Sequence, residues 1–303
     1  MCVTGCDATK QDSPGAKPDA GTKCDGTAKP CKNCTPGNVS LEVAKNLLTL
    51  KHDRDCRLNI KVDPAGVAAS AFRIEIRRAS GATWCKLSSS QTMDTWHAVI
   101  AGKFKLRGVA TICGTEHKTA EQDVEVQFPA YADITGDADV TTALSAAWTA
   151  TEAECTEAPV NQRRERGFWV RLNTSTNKYE TSAVEFGGWN APADGAGVNL
   201  SARTADAPAT PDPCAAGATY SVASFHSHTS TAFRAAAVPA GATRGVGPSG
   251  ADNTADTRDD VPGIVYDYVE SPAGSGSIPM GHPKGSAAQM YKSLGHERRT
   301  TPP

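Results

Sequence analysis

The sequence predicts a multidomain α+β protein with a cysteine-rich N-terminal segment, a β-sandwich and a C-terminal α/β domain. Runs of alternating apolar and polar residues fill 38–129, and this alternation is typical of strands with one buried face. From residue 130 onwards, apolar residues first take helical spacing and then form further strand-like runs, which is typical of a domain that mixes helices and strands. The chain has 303 residues, enough for about two domains of ~150 residues each.

Residues 1–37 form the cysteine-rich segment, which is low in apolar residues and rich in Gly, Pro, Lys, Asp and Thr. The segment holds half of the ten cysteines of the chain, namely Cys2, Cys6, Cys24, Cys31 and Cys34. Cys31 and Cys34 have the spacing of a zinc knuckle, but no second pair of ligands follows nearby. Disulfides and a mostly flexible leader are the other interpretations, and all three stay open.

The segment 38–129 is predicted to be an immunoglobulin-like β-sandwich. Its alternating runs begin at Val39, Leu58, Phe72, Trp96, Phe104 and Val124. In one of these runs Phe72, Ile74 and Ile76 share a face while charged residues take the other, as in a half-buried strand. Cys56 and Cys113 lie on candidate strands, so a disulfide between the two sheets is one option, with Cys85 as the competing partner.

The segment 130–303 is predicted to be the α/β domain and to end in a polar tail. A helix is expected at Asp139–Cys155, followed by strands at Gly167–Leu172, Tyr179–Val184, Tyr220–Phe225 and Gly263–Val269. A further short helix is expected at 287–295. A disulfide between Cys155 and Cys214 would tie the long Gly/Ala/Pro loop to the end of the first helix.

Charge and hydropathy exclude several classes of partner. Lys and Arg number 31 and Asp and Glu number 33, so the net charge is −2. Nucleic acids and anionic membranes usually require a concentrated basic surface, so neither is expected as a partner. No apolar run is long enough for a transmembrane helix, and the N-terminus has no apolar signal-peptide core. We therefore expect synthesis in the cytoplasm without a signal peptide, and the many cysteines favour secretion or delivery to another compartment, or metal binding.

The pattern His226-Ser-His228 is the most informative feature of the sequence. Alternate residues of a strand face the same side, so both imidazoles should converge on one point. Ser249-x-x-Asp252 follows after a gap of twenty residues, with Ser249 placed as a helix N-cap and Asp252 in the first turn. Two imidazoles and a carboxylate with one open position form a catalytic zinc site. The alternative interpretation is a pair of histidines on a purely structural strand.

Together with Glu165, this pattern resembles the JAMM (MPN/JAB) metallopeptidase family over about residues 131–270. The order of a helix, a Glu-bearing strand, a second strand, the HxH strand, the SxxD helix and a following strand is also similar to that family. The resemblance implies a cytidine-deaminase-like α/β fold. It also implies that Zn²⁺ is bound by His226, His228 and Asp252.

The resemblance further implies the catalytic roles. Glu165 would be the general base that activates water and later protonates the leaving amine. Ser249 would donate a hydrogen bond to the developing oxyanion, or simply cap its helix. Glu180 and Glu185, on the next predicted strand, are the alternatives to Glu165 as the base.

Two departures from the family pattern are visible. The gap between the HxH and SxxD motifs is twenty residues rather than about seven, which requires a looped-out insertion such as Ala235–Arg244. Thr229 stands where the family often has a proline. Because of the insertion, three other carboxylates are fallback ligands, namely Asp256, Asp259 and Asp260.

The leading functional hypothesis is a zinc peptidase or isopeptidase that hydrolyses an amide bond in a protein or a peptidoglycan peptide. A β module joined to such a domain resembles bacterial secreted toxins and type VI effectors, which implies a secretion apparatus or an immunity protein as partners. The second hypothesis is a catalytically inactive binding or structural module of a secretion or tail-like apparatus. A zinc deaminase is disfavoured because the HxE and PCxxC signature is missing.

Overall fold

The structure is a computed structural model that describes most of the chain after the N-terminal segment. The described residues are 38–63, 69–89, 92–112, 114–157, 163–189, 197–201, 203, 213–214, 216–229, 243–269, 277–279, 287–293 and 296–301. These residues form a sheet-rich, multidomain structure with few helices. The predictions for 1–37, including a metal site or disulfides there, lie outside the described residues. Among the described helices, none has the length and apolar character that a membrane crossing requires.

The described chain divides into two compact units. The first holds the chain up to Asn46 together with Asp55–Trp96 and Lys103–Val124. The second holds Leu47–Arg54, His97–Gly102 and the chain from Glu125 onwards. Three short segments of the predicted β module, Leu47–Arg54, His97–Gly102 and 125–129, therefore group with the C-terminal region. The predicted boundary at 129/130 concerns independent folding and stays a prediction.

The first unit is built from strands. The strands up to residue 127 are β1 (Asn38–Val43), β2 (Leu47–Thr49), β3 (Asp55–Asp63), β4 (Ala69–Arg78), β5 (Cys85–Ser89), β6 (Met93–His97), β7 (Gly102–Ile112), β8 (Thr115–Lys118) and β9 (Gln122–Gln127). One sheet has the order β1-β3-β6, and another has the order β9-β7-β4-β5 with β8 paired to β7. In the second unit, β2 pairs in parallel with the end of β9.

Strand β4 shows why this region forms sheets. Ile74 and Ile76 are fully buried, as the alternation predicts. On the opposite face, Glu75 accepts hydrogen bonds from Arg73 on its own strand and from Arg107 on β7. Apolar side chains on one face and paired charges on the other fix the register, because a shift by one residue would exchange the two faces.

The second unit contains the helices. It comprises α1 (Tyr131–Thr135), α2 (Ala138–Glu157), β10 (Arg166–Asn173), β11 (Lys178–Thr181), β12 (Glu185–Phe186), β13 (Thr219–Ser227), β14 (Thr243–Gly245), α3 (Gly250–Asp259), β15 (Gly263–Val269), β16 (Ser277–Pro279) and β17 (Ala287–Lys292). The main sheet has the order β11-β10-β13-β15-β17, with β12 also paired to β10, while β14 and β16 pair separately. Only β13 and β15 in this sheet run parallel, and α2 packs against β10, β11 and β13.

Most predicted elements of this unit are confirmed, and one is wrong. The predicted helix Asp139–Cys155 lies within α2, and the strand predicted at Gly263–Val269 is β15. The short helix expected at 287–295 is instead β17, which pairs antiparallel with β15 over its whole length. The segment contains Ala, Gln, Met and Lys, which favour helices, but pairing with the edge of the sheet outweighs that local propensity.

The cysteine predictions are only partly covered by the described residues. Cys85 and Cys214 are both disulfide-bonded. Cys56 is a buried residue of β3. The Cys56 thiol donates a hydrogen bond to the backbone carbonyl of Lys45, so the predicted Cys56–Cys113 disulfide is wrong. The side chain of Cys155 lies outside the described residues, so its predicted pairing with Cys214 stays a prediction.

Candidate metal centre

The carboxyl end of β13 brings two buried imidazoles together. Ser224, His226 and His228 alternate along the chain and therefore face the same side of the sheet. The side chains of His226 and His228 are almost fully buried, and their Nε2 atoms lie 3.2 Å apart. Because β13 lies between β10 and β15, its position in the middle of the sheet holds both rings in place.

Glu165 joins this pair from the neighbouring strand. It immediately precedes β10, whose antiparallel register places Arg166 opposite Ser227. Extending that register by one residue places Glu165 opposite His228. One carboxylate oxygen of Glu165 and one ring nitrogen of each histidine all lie within 4.8 Å of one another, so these three residues could hold a metal ion.

The Glu165 carboxylate is held by the backbone. It is 8% exposed, and its Oε2 atom accepts a hydrogen bond of 3.0 Å from the backbone N–H of Val198. Burial raises the pKa of Glu165, although the two nearby histidines oppose the shift. A carboxyl group whose pKa is raised by burial is suited to exchange protons near neutral pH.

Ser249 and Asp252 form the N-terminal cap of α3, as predicted. The Ser249 hydroxyl accepts a hydrogen bond of 3.2 Å from the backbone N–H of Asp252, and Asp252 Oδ2 accepts one of 2.6 Å from the backbone N–H of Ser249. This reciprocal pair is a capping box. The cap role of Ser249 is therefore present in the structure, and its role toward an oxyanion stays a prediction.

The cap directs the Asp252 carboxylate at the histidine pair. Oδ1 lies 3.4 Å from Nε2 of His226, and Oδ2 lies 3.6 Å from Nε2 of His228. Burial tends to raise the pKa of Asp252, but hydrogen bonds from both histidines outweigh it and hold that pKa well below its usual range. Burial conversely lowers the pKa of His228, but contacts with Asp252 and Asp267 raise it to about 10.

Asp267 is a buried partner of the site that the sequence analysis missed. It lies on β15 with no exposed surface, and its Oδ2 atom is 2.9 Å from Nδ1 of His228. It also accepts hydrogen bonds from the backbone N–H groups of Gly247 and Tyr268. The signal in the sequence was a carboxylate in the middle of the apolar strand Gly263–Val269, a position that demands a buried partner.

The fallback ligands have other partners. Asp256 is 5% exposed and accepts hydrogen bonds from Ser224 and Ser293. Burial raises its pKa. Asp259 accepts two hydrogen bonds from Arg258. Asp260 ends α3 and accepts hydrogen bonds from the hydroxyl groups of Thr300 and Thr301.

The alternative bases are also engaged elsewhere. Glu180 is exposed and accepts a hydrogen bond of 2.9 Å from the side chain of Asn173. Glu185 Oε2 accepts hydrogen bonds of 2.7 Å from the backbone N–H and from the hydroxyl of Ser201. Of the three glutamates considered, Glu165 is the one grouped with the histidine pair.

A pocket of about 510 Å³ opens beside His226 and Asp252. Its walls come from β10, β13, α3 and the segment 197–201. The lining residues are Trp169, Val198, Asn199, Leu200, Ser224, His226, Gly250, Ala251, Asp252, Thr254, Ala255, Asp256, Arg258 and Asp259. This volume lies within the range of small-molecule binding sites.

Comparisons with known proteins do not identify the chain. No family model matches it, and no curated protein matches it. Among solved structures, one similarity is to the twitchin kinase region from C. elegans (Fn31-NL-kin-CRD-Ig26), at 20% identity and a TM-score of 0.22. That match covers 33% of this chain and 21% of the twitchin chain, so the chain spans about a fifth of that structure. A similarity of this size supports no conclusion about fold or function.

Proposed function

We propose that the chain is a JAMM-like zinc-dependent peptidase or isopeptidase that hydrolyses an amide bond. The observation that carries the proposal is the convergence of His226, His228 and Asp252 beside the buried Glu165. All four residues belong to the sequence pattern that resembles the JAMM family. The order of α2, β10, β11, β13, α3 and β15 also supports the family resemblance.

The distances between the donor atoms fit zinc. Bonds of about 2.0–2.1 Å in a tetrahedral site place the ligand atoms about 3.3 Å apart. The two histidine Nε2 atoms are 3.2 Å apart, and the Asp252 oxygens lie 3.4 and 3.6 Å from them. The two nitrogens and the carboxylate therefore lie at spacings close to this value, although each histidine faces a different Asp252 oxygen. Two nitrogen donors and one oxygen donor are a combination used in catalytic zinc sites.

The surroundings of His228 support the same ligand set. When Nδ1–H of His228 donates to Asp267, the ring presents the Nε2 lone pair to the site. A carboxylate behind a ligating histidine fixes both the tautomer and the ring orientation. Asp267 is itself held by two backbone N–H groups, those of Gly247 and Tyr268, so the ring has a rigid support.

The proposed mechanism assigns proton transfer to Glu165. Bound Zn²⁺ supplies Lewis-acid chemistry and lowers the pKa of water to about 7. Glu165 accepts the proton of the attacking water at a carboxylate oxygen and then gives it to the nitrogen of the leaving amine. The N–H of Val198 holds Oε2, which leaves Oε1 available to move the proton. Ser249 uses a lone pair of its hydroxyl in the cap, so its O–H would remain available to donate to the oxyanion.

The biological setting that we propose is a bacterial effector that is secreted or delivered to another compartment, with a protein or a peptidoglycan peptide as substrate. Disulfide-bonded Cys85 and Cys214 support exposure to an oxidising compartment after delivery. A secretion apparatus and an immunity protein are the partners that this setting suggests.

Metal analysis of variants tests the proposal. We expect one zinc per chain in the purified protein, and less than a tenth of that in His226→Ala and His228→Ala. His117→Ala is the control, because His117 lies on β8 in the first unit and should leave the zinc content unchanged. Undiminished zinc in both site variants would refute the ligand assignment. Hydrolysis should then be screened with isopeptide-linked and peptidoglycan-derived peptides.

A further inference from the structure

The four charged residues that line the pocket beside His226 are each engaged with another group. The Asp252 carboxylate faces the two histidines. Asp256 accepts from two serine hydroxyls. Arg258 and Asp259 form a pair with two hydrogen bonds, of 3.0 and 2.9 Å. A charged substrate group would have to compete with one of these existing contacts, whereas an uncharged group would not.

Apart from Asn199 and Thr254, the remaining uncharged walls of this pocket are apolar or small. Val198 and Leu200 are half-buried, and both pack where a Cβ of Gly167 would lie. Across from them, α3 presents Ala251 and Ala255. Alanine on the helix side leaves open space, and branched aliphatic side chains on the other side give it an apolar surface. Such walls gain free energy by covering an aliphatic chain.

The pocket also has a defined position relative to the catalytic groups. His226 and Asp252 line it, whereas Glu165 and His228 do not. Because Glu165 delivers the proton to the leaving amine in the proposed mechanism, the amine departs on the Glu165 side. The acyl part of the substrate then extends toward His226 and into the pocket.

We propose that this pocket is the acyl-side specificity site and accepts an uncharged aliphatic chain next to the scissile carbonyl. The inference rests on the proposed zinc peptidase function and names its substrate class. Amides with a leucine-like acyl side chain are therefore preferred over those with acetyl, acidic or basic acyl groups.

Binding of simple hydroxamic acids tests this inference. The full-length protein is used, and its bound zinc is measured first. The hydroxamate group binds zinc, while its acyl chain reaches the pocket. We expect isovalerohydroxamic acid to bind about tenfold or more tightly than acetohydroxamic acid by calorimetry, because it buries more apolar surface. Succinomonohydroxamic acid and β-alanine hydroxamic acid should show no such gain.

Two variants fill the pocket, and one provides a matched control. Ala255→Trp and the more exposed Ala251→Trp should each reduce the ratio of isovaleryl to acetyl affinity to near one. Two positions make the test robust if one variant fails to fold. Thr257→Trp is the control, because Thr257 is exposed on the same helix and does not line the pocket, so it should keep the tenfold ratio.

The outcomes separate this inference from the proposed function. Equal binding of the acetyl and isovaleryl compounds to the unmodified protein would overturn the aliphatic pocket and leave the zinc site standing. Tighter binding of a charged compound would also overturn it. If no hydroxamate binds, the zinc site itself fails, and the acyl-side assignment fails with it.

Discussion

Strands β7 and β13 both lie inside their sheets, but they differ in how deeply their polar residues are buried. In β7, buried and partly exposed positions alternate over most of the strand, and the partly exposed Lys105 and Arg107 pair with Asp123 and Glu75. In β13 nearly every residue is buried, including Ser224, His226 and His228. Exposed charges are solvated and cost little, whereas buried polar groups are costly unless each has a partner. The polar residues of β13 are therefore the stronger candidates for a functional site.

The largest expected effect is the loss of hydrolysis when Glu165, the proposed base, is changed. Glu165→Gln should retain zinc but lose at least a hundredfold in hydrolysis, because Gln cannot accept the proton and positioned acid–base catalysis contributes about 10²–10⁴-fold. Turnover of a substrate found in the peptide screen and zinc content are measured together.

Glu180→Gln and Glu185→Gln are the matched controls for this change. Both should stay within about threefold of the unmodified protein, since both carboxylates are engaged at other positions. Loss of activity in Glu185→Gln with full activity in Glu165→Gln would show that the wrong strand was assigned to the base, even if the metal ligands are right.

The next effect concerns the support of His228. Asp267→Asn should weaken zinc affinity about 10–100-fold, because the residue no longer accepts the Nδ1–H bond as an anion. Competition with a chromogenic chelator measures this. Asp123→Asn is the control, since Asp123 pairs with Lys105 on the exposed face of β7. Equal zinc affinity in the two variants would show that Asp267 does not support zinc binding.

A smaller effect is expected where α3 meets the sheet. A Cβ on Gly263 would overlap the Asp256 carboxylate and the Ser293 hydroxyl. Gly263→Ala should therefore lower the free energy of unfolding by about 1–3 kcal/mol, the usual cost of overpacking. Gly250→Ala is the control. Gly250 is the first residue of α3, and no neighbouring atom lies near its Cβ position, so this change should have no destabilising effect. Urea unfolding of both variants at pH 7 checks this, and similar midpoints would contradict the close packing.

Local patterns were sufficient to predict the elements that form the site. The alternation of His226 and His228, and the spacing from Ser249 to Asp252, can be recognised in the sequence because each pattern lies within one strand or one helical turn. Strand β15 and helix α2 were predictable for the same reason, since their apolar periodicity is intact.

The remaining contacts depend on tertiary pairing, which periodicity does not encode. Asp267 meets His228 only because β15 lies parallel to β13, and Val198 reaches Glu165 from a segment 33 residues away in sequence. Strand β17 was predicted as a helix because its residues favour one, and only its partner β15 makes it a strand. These features needed the sheet order, which the sequence did not reveal.

The smallest effect is expected on the charged, half-buried face of β4 and β7, at Glu75, whose side chain is 12% exposed. This carboxylate meets Arg73 and Arg107, and although burial raises the pKa of Glu75, these two partners outweigh it and lower the pKa below 4.5. A lowered pKa in the folded state means that the stabilisation is present above pH 4.5 and is lost as the pH falls through the folded value. Glu75→Gln should cost about 1 kcal/mol or less at pH 7, as is usual for ion pairs near the surface.

The pH dependence distinguishes this ion pair from simple packing. The difference in unfolding free energy between the unmodified protein and Glu75→Gln should be constant above pH 4.5 and shrink as the pH falls through the lowered pKa of Glu75, because protonated Glu75 and Gln are both uncharged. Zinc content should be equal in the two proteins. A difference that stays constant with pH would mean that Glu75 acts through packing, and the contrast between solvated charges on β7 and buried polar groups on β13 would then be weaker than the structure indicates.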